Sequence, residues 1–349
     1  MSVPPDSASS DVNDLPRRTR RHFFEHVQLS RYALPMKVVI PGGTGPVGAV
    51  LTRALLARGH EIVHLSRRPR ADAAVRTVAW DGRGPGPWTA EIDGCDAVVN
   101  LAGRSVSCRY TPENLREMMD SRVDSTRAVG AAIAAATNPP PVWLQMSTAT
   151  IYAHTHAEPN DDSGVIGGEE PGVPAYWAFS VDIARAWERA QAEADTPATR
   201  KVALRAAMVM SRDKGSVFDT LLRMTRLGLG GPVAGGRQFI SWIHAEDFAR
   251  AVAFLIDRDD IDGTVNVAAP GPLPQREFMR HLRAAAKMPV GLPATRWMAE
   301  LGALAMRSDT ELLLKSRRVV PRRLPENGFD FAFPEWPEAA ADLVGRAER

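Results

Sequence analysis

At 349 residues, with 44% hydrophobic and 24% charged positions, the chain has the composition of a folded globular protein. That composition excludes a disordered, collagen-like or purely coiled-coil polypeptide. Its 43 basic and 41 acidic side chains leave a formal charge of +2, without the broad positive field of a nucleic-acid or anionic-membrane binder.

Residues 1–35 are rich in Ser, Asp and Pro, then carry Arg17, Arg18, Arg20 and Arg21 with no apolar segment behind them. They do not read as a secretory signal, and Asp6, Asp11, Asp14 and Glu25 weigh against a transit peptide; a disordered extension outside the fold is expected. Cys95 and Cys108 match no zinc spacing and are too few to staple a chain of this size, which fits a reducing compartment. No apolar run approaches the ~20 residues that span a bilayer. The expectation is therefore a cytoplasmic protein, a monomer or homodimer, that works on a small molecule without metal, membrane or nucleic acid.

From Met36 the chain alternates strand and helix. Lys37–Ile40 is a short β-branched run closed by Pro41-Gly42-Gly43, and Val47–Ala57 carries helical spacing that ends at Gly59. Strands are expected at Glu61–Leu65, Val75–Trp80, Asp96–Ala102, Val142–Met146 and Val202–Met208, with helices over Pro112–Ala136 and Phe179–Ala194. This alternation predicts an α/β fold, a doubly wound parallel sheet with helices on both faces. Beyond residue 210 the pattern loosens: helices are expected at Val217–Leu227, Asp247–Leu255 with an acidic cap, Glu277–Ala286 and Thr295–Met306, with a strand at Thr264–Val267. This predicts a dinucleotide domain over residues 36–210, joined by strand contributions from 240–268, and a smaller, mainly helical domain over 211–349.

Gly42, Gly45 and Gly48 fall at i, i+3 and i+6, directly after a strand and at the opening of a helix, with Thr44, Pro46 and Val47 between them. A tight turn, a close backbone approach to a pyrophosphate and close helix–strand packing each require a residue without a side chain, and the helix N-terminus offers N–H groups to the anion. The second strand ends His64-Leu65-Ser66-Arg67-Arg68, with no carboxylate before Asp72. An NAD site wants an acid there to accept the ribose 2′-OH; Ser66 and Arg67 suit a 2′-phosphate, so NADP is favoured over NAD.

The glycine spacing, the strand end Asn100-Leu101-Ala102-Gly103 and Ser147-Thr148-Ala149-Thr150-Ile151-Tyr152 resemble the extended short-chain dehydrogenase/reductases, the NAD(P)-dependent epimerase/dehydratase type. Ser121-Arg122-Val123-Asp124-Ser125-Thr126, Ala186-Trp187-Glu188, Gly235–His244 and the tail Val319–Leu324 with Gly328-Phe329 are similar to the atypical epimerase-like subfamily that ends in a DUF1731-like domain of unknown function. The resemblance implies a Rossmann-like fold, cofactor contacts at Leu101, Ala102 and Gly103, and Thr148 as the hydroxyl on the reacting oxygen. It also implies a catalytic tyrosine with a lysine four residues on, the lysine lowering the tyrosine pKa.

Here the chain departs from the pattern. The four tyrosines, Tyr32, Tyr110, Tyr152 and Tyr176, are followed four residues later by Met36, Asn114, His156 and Ser180, and no lysine lies between Lys37 and Lys201. Tyr176 is the best-placed acid/base; aligning the helix on Trp187-Glu188 leaves no tyrosine at all. Tyr152, His154 and Gln238 are candidate substrate contacts, and Arg109 and Arg122 suit an acidic or phosphorylated substrate or a structural role. Two functions follow: an NADP-dependent oxidoreductase or epimerase acting on a small carbonyl or nucleotide-sugar-like substrate, or a non-catalytic NADP-binding sensor. Binding of nucleic acid through Arg317, Arg318, Arg322 and Arg323 is a weaker third, because no aromatics interleave the arginines.

Overall fold

The computed structural model describes residues 35–69, 75–106, 108–168, 170, 177–295, 298 and 314–345. The expectations for residues 1–34, for Tyr176 and for nearly all of the helix at Thr295–Met306 lie outside them.

Strands β1 (Lys37–Pro41), β2 (Glu61–Ser66), β3 (Arg76–Ala79), β4 (Ala97–Asn100), β5 (Val142–Thr148) and β6 (Arg200–Ala206), with β10 (Gly263–Val267), form one seven-stranded sheet. Its order is β3-β2-β1-β4-β5-β6-β10, and every pairing is parallel. Parallel strands are covered on both faces, so β1 and β4 read as unbroken apolar runs: Val38, Val39, Ile40, Ala97, Val98 and Val99 are fully buried. Helices α1 (Pro46–Leu56), α2 (Pro112–Ala135), α3 (Ala178–Ala192) and α5 (Ala245–Asp257) cover these faces. Thr111 caps α2 by accepting the Asn114 N–H, with Pro112 in the first turn.

The strand order reverses between β1 and β4. At such a switch point neighbouring crossovers leave on opposite faces, and a crevice opens outside the carboxyl ends of the strands.

Residues after 206 add three short strands, β7 (Met208–Met210), β8 (Phe239–Ile240) and β9 (Trp242–His244), which the apolar pattern did not reveal, and β11 (Leu273–Pro274). With α4 (Val217–Arg226), α6 (Gln275–Ala285) and α8 (Trp336–Gly345) they enclose a separate apolar cluster around Trp242, Phe278 and Trp336, whose Phe278 and Trp336 rings stack at 3.9 Å. Segment α7 (Arg323–Glu326) packs beside β10.

The cap of α5 differs from expectation. His244, not an acid, is its N-cap, its Nδ1 accepting the Glu246 N–H at 3.1 Å. Asp247 is instead fully buried and accepts N–H groups from Ala332 and Phe333, which pins the C-terminal segment to the helix. Among the described residues no helix is long and apolar enough to cross a membrane.

Candidate cofactor and substrate site

The turn after β1 is built against the end of β4. Gly42 has φ +76°, and a Cβ there would lie 2.8 Å from the Ala102 backbone, so only glycine lets the two strand ends approach. Leu101 N–H donates to Pro41 O at 2.8 Å and Ala102 N–H to the Asn100 side chain at 3.0 Å, which fixes residues 101–103 along one wall of the crevice. A Cβ on Gly48 would fall 2.2 Å from Gly43 O, so the third glycine sets how closely α1 approaches the turn. Gly45 is different: its nearest neighbour would be 3.6 Å away, leaving open space in front of it. Gly45 caps α1 without a side chain and Pro46 follows, so the first-turn N–H groups are left to an incoming anion.

Beneath this turn lies a residue that motif reading missed. A Cβ on Gly43 would meet the His64 ring at 2.3 Å; His64 is buried and hydrogen-bonds Thr52 Oγ1 at 2.7 Å. Burial pushes its pKa below 6.5. A neutral imidazole thus supports the loop from behind. At the mouth of β2, Thr44 Oγ1 stands 3.5 Å from Ser66 Oγ, and Arg67 and Arg68 are exposed beside them.

Thr148 ends β5 and is half-buried, its Oγ1 accepting the Thr150 N–H at 3.1 Å. Asn100 pairs with Gln145 across the strands. β4 ends at this couple, while β5 runs on three residues to Thr148.

Two expected substrate contacts, Tyr152 and Gln238, are buried. Tyr152 is 2% exposed; the short helical turn at Ala149–Ile151 rotates it inward, where its hydroxyl donates to Asn266 Oδ1 at 2.7 Å and accepts from Arg205 Nη1 at 3.0 Å. Gln238 is buried too, its amide donating to Val233 O at 3.2 Å, so it braces its own loop. Tyr152 belongs to a buried network: Glu188 accepts from Ser147 Oγ at 2.6 Å and, through both oxygens, from Arg205 Nε and Nη2 at 2.9 and 2.8 Å. Burial works against the Arg205 charge, but Glu188 holds its pKa above the ordinary value.

His154, the third expected substrate contact, is half-buried, with its Nδ1 accepting the Ser316 N–H at 2.8 Å. Burial and the neighbouring His156 lower its pKa. The same C-terminal segment sends Lys315 Nζ to Thr150 O at 2.9 Å and Arg317 Nε to Thr150 Oγ1 at 3.1 Å. A lysine therefore does reach the loop behind Thr148, from a position about 165 residues downstream that no local motif announces. Arg318 donates to Ala157 O, Arg322 pairs with Asp161 at 3.2 Å, and Arg323 donates to Asp262 O and Thr264 O. The arginine run is thus engaged within the fold. Beyond it, His156, Arg237, Phe239, Pro274 and Arg276 line a cavity of about 430 Å³.

A family model described as the NAD dependent epimerase/dehydratase family matches residues 38–268, and a second, a domain of unknown function (DUF1731), matches 294–343. The epimerase family protein SDR39U1 of Bos taurus is 33% identical over 314 residues, covering 88% of this chain and 100% of the relative. The epimerase family protein YfhF of Bacillus subtilis is 28% identical, covering 88% and 98%. The crystal structure of human SDR39U1 (isoform 2) with NADPH superposes with a TM-score of 0.78 at 30% identity, covering 89% of this chain and 99% of that one. With its seven-stranded parallel sheet and glycine turn, the chain belongs to the NAD dependent epimerase/dehydratase family, the extended short-chain dehydrogenase/reductase type, and ends in a DUF1731 domain.

Proposed function

We propose that the protein is an NADP-dependent oxidoreductase or epimerase acting on a small carbonyl or nucleotide-sugar-like substrate in the crevice at the carboxyl ends of β4 and β5. The observation that carries this reading is the paired architecture of the cofactor wall. A side-chain-free cradle lies before an uncapped helix N-terminus, and the β2 end offers Ser66 and Arg67 instead of a carboxylate. These groups fit a diphosphate and a ribose 2′-phosphate. The relative with NADPH in its crystal structure agrees with that fit.

Gly42, Gly45, Gly48 and the first turn of α1 would hold the diphosphate, Ser66 and Arg67 the 2′-phosphate, and Leu101, Ala102 and Gly103 the far half of the cofactor. When bound, the nicotinamide supplies the redox chemistry that no side chain possesses. The chain's own part is to orient and polarise. Thr148 Oγ1 already accepts the Thr150 N–H, so its hydroxyl proton is left to be donated to a substrate oxygen. Replacement of Thr148 by Val should cut turnover about 100-fold or more while leaving NADPH affinity unchanged. Unchanged turnover removes Thr148 from the mechanism.

The second reading, a non-catalytic NADP sensor, is favoured by one feature, the lack of a tyrosine with a lysine four residues on. Fluorescence titration with NADPH and NADH supports both readings if NADPH binds more tightly and opposes both if NADH does. Catalytic turnover of any carbonyl separates them.

A further inference from the structure

The α2 helix carries an arginine whose setting differs from that of every charge described above. Arg122 is half-buried at the carboxyl end of β4, where its guanidinium lies 4.9 Å over the ring of buried Trp187. Its Nη1 donates to the Met118 carbonyl at 2.9 Å, one turn back on the same helix. Among the described residues no carboxylate pairs with it. Of the acids nearest to it along α2, Asp120, Glu117 and Asp124, Glu117 pairs with Arg104 and Asp124 with Arg83 at 3.5 Å. The other ionisable groups facing it are Tyr110 and Cys108, both ordinarily neutral at pH 7.

Buried Arg205 offers the contrast. It is matched by the bidentate Glu188, as a guanidinium withdrawn from water ordinarily is. Around Arg122, desolvation instead pushes the pKa down to about 10, so the protein holds the charge there at a cost. The guanidinium also adjoins the crevice wall. A Cβ on Gly103 would come within 3.1 Å of Arg122 Cγ and 3.3 Å of its Cζ, so the absence of a side chain at 103 brings the charge up to the segment that leaves the carboxyl end of β4.

We propose that Arg122 is an anion-receiving group of the substrate site, holding a carboxylate or phosphate of the molecule that reacts beside Thr148. This deepens the reading given under Proposed function and rests on it: the substrate class narrows to acidic or phosphorylated compounds. A planar fork backed by an indole suits two acceptor oxygens in one plane. The diphosphate of the cofactor is a second source of the same chemistry, with its own cradle at Gly45 and the N-terminus of α1.

The test uses the full chain saturated with NADPH and titrates it calorimetrically with oxalate and, separately, with inorganic phosphate. Arg122→Gln and Arg122→Lys are measured alongside, each checked for thermal transition and for NADPH affinity. The proposal expects saturable binding of at least one anion to the wild type, weakened about tenfold or more by Gln and less by Lys, with NADPH affinity retained in both variants. It is overturned if neither anion binds the NADPH-loaded wild type saturably, or if both variants bind anions as the wild type does. It is equally overturned if NADPH affinity falls while anion binding persists, which assigns the guanidinium to the cofactor. Should Gln fail to fold, Lys decides, because it keeps the charge but loses the fork. NADPH binding by the wild type reports on the broader reading separately, so failure of one is distinguishable from failure of the other.

Discussion

Replacing Glu188 by Ala removes the partner of a buried charge and leaves the rest of the molecule in place. Both Glu188 oxygens are engaged, one by Ser147 Oγ and Arg205 Nε, the other by Arg205 Nη2, and the two side chains are only 14% and 10% exposed. After truncation Arg205 keeps Tyr152 Oη as a hydrogen-bond acceptor but has no counter-charge. Breaking a buried pair from one side costs about 3–5 kcal/mol, most of it from the charge left behind. With an unfolding entropy of about 2.1 cal/mol/K per residue over 349 residues, that corresponds to a fall in Tm of about 4–7 °C. The double variant Glu188→Met with Arg205→Met removes the orphaned charge and should lose less stability than Glu188→Ala alone. Differential scanning calorimetry of the three proteins at pH 7 decides the matter. A Glu188→Ala shift below about 1 °C, or a double variant less stable than the single, would refute the view that this pair is a desolvated, mutually dependent unit.

The remaining predictions concern the cofactor wall. Arg67→Asp should weaken NADPH binding about tenfold or more and spare NADH, the loss of a charge-assisted contact to a phosphate; an unchanged NADPH/NADH ratio in fluorescence titration rejects the 2′-phosphate assignment. His64 titrates below its ordinary 6.5 because it is buried, so the unfolded chain takes up its proton first as the medium becomes acidic. Its contribution to stability is therefore complete above pH 6.5 and is lost as pH falls below that value, by up to about 1.4 kcal/mol per pH unit. In His64→Gln the drop in Tm between pH 7.5 and 5.5 should be smaller than in the wild type, and an equal drop would show that His64 is not among the groups responsible.

The halves of the molecule differed in how far the sequence disclosed them. Parallel strands such as Val38–Ile40 and Ala97–Val99 announce themselves, because burial on both faces leaves no polar period to read. The glycine turn was equally legible, since Gly42 and Gly48 each answer to a steric demand that now has an atom attached to it, and Gly45 leaves open space at the helix start. What eluded reading was long-range. Lys315, Ser316 and Arg317 meet residues 150–155 from more than 160 positions away, and hydrogen bonds to carbonyls and hydroxyls leave no periodic trace. The inward direction of Tyr152 was not legible because a strand-end motif fixes its spacing but not its direction, which the turn at Ala149–Ile151 sets. His64 was read as part of a strand end, and only the packing of Gly43 on its ring gives it a role. The cap at His244 escaped because Asp247 is the commoner capping residue, whereas here its carboxylate is needed by the backbone of 332–333.

The absence of lysine between Lys37 and Lys201 bears on mechanism. No lysine follows a tyrosine at the expected spacing, while Lys315 enters from the DUF1731 segment and binds a carbonyl beside the Thr148 turn. The central claim, that redox chemistry takes place beside Thr148, is tested most directly by label transfer. The protein is incubated with NADPH deuterated at C4 and a panel of acidic, phosphorylated and neutral carbonyl compounds, and products are read by mass spectrometry. Deuterium is predicted in at least one acidic or phosphorylated member, with its loss in Thr148→Val; no transfer to any member, with NADPH fully bound, would contradict the claim.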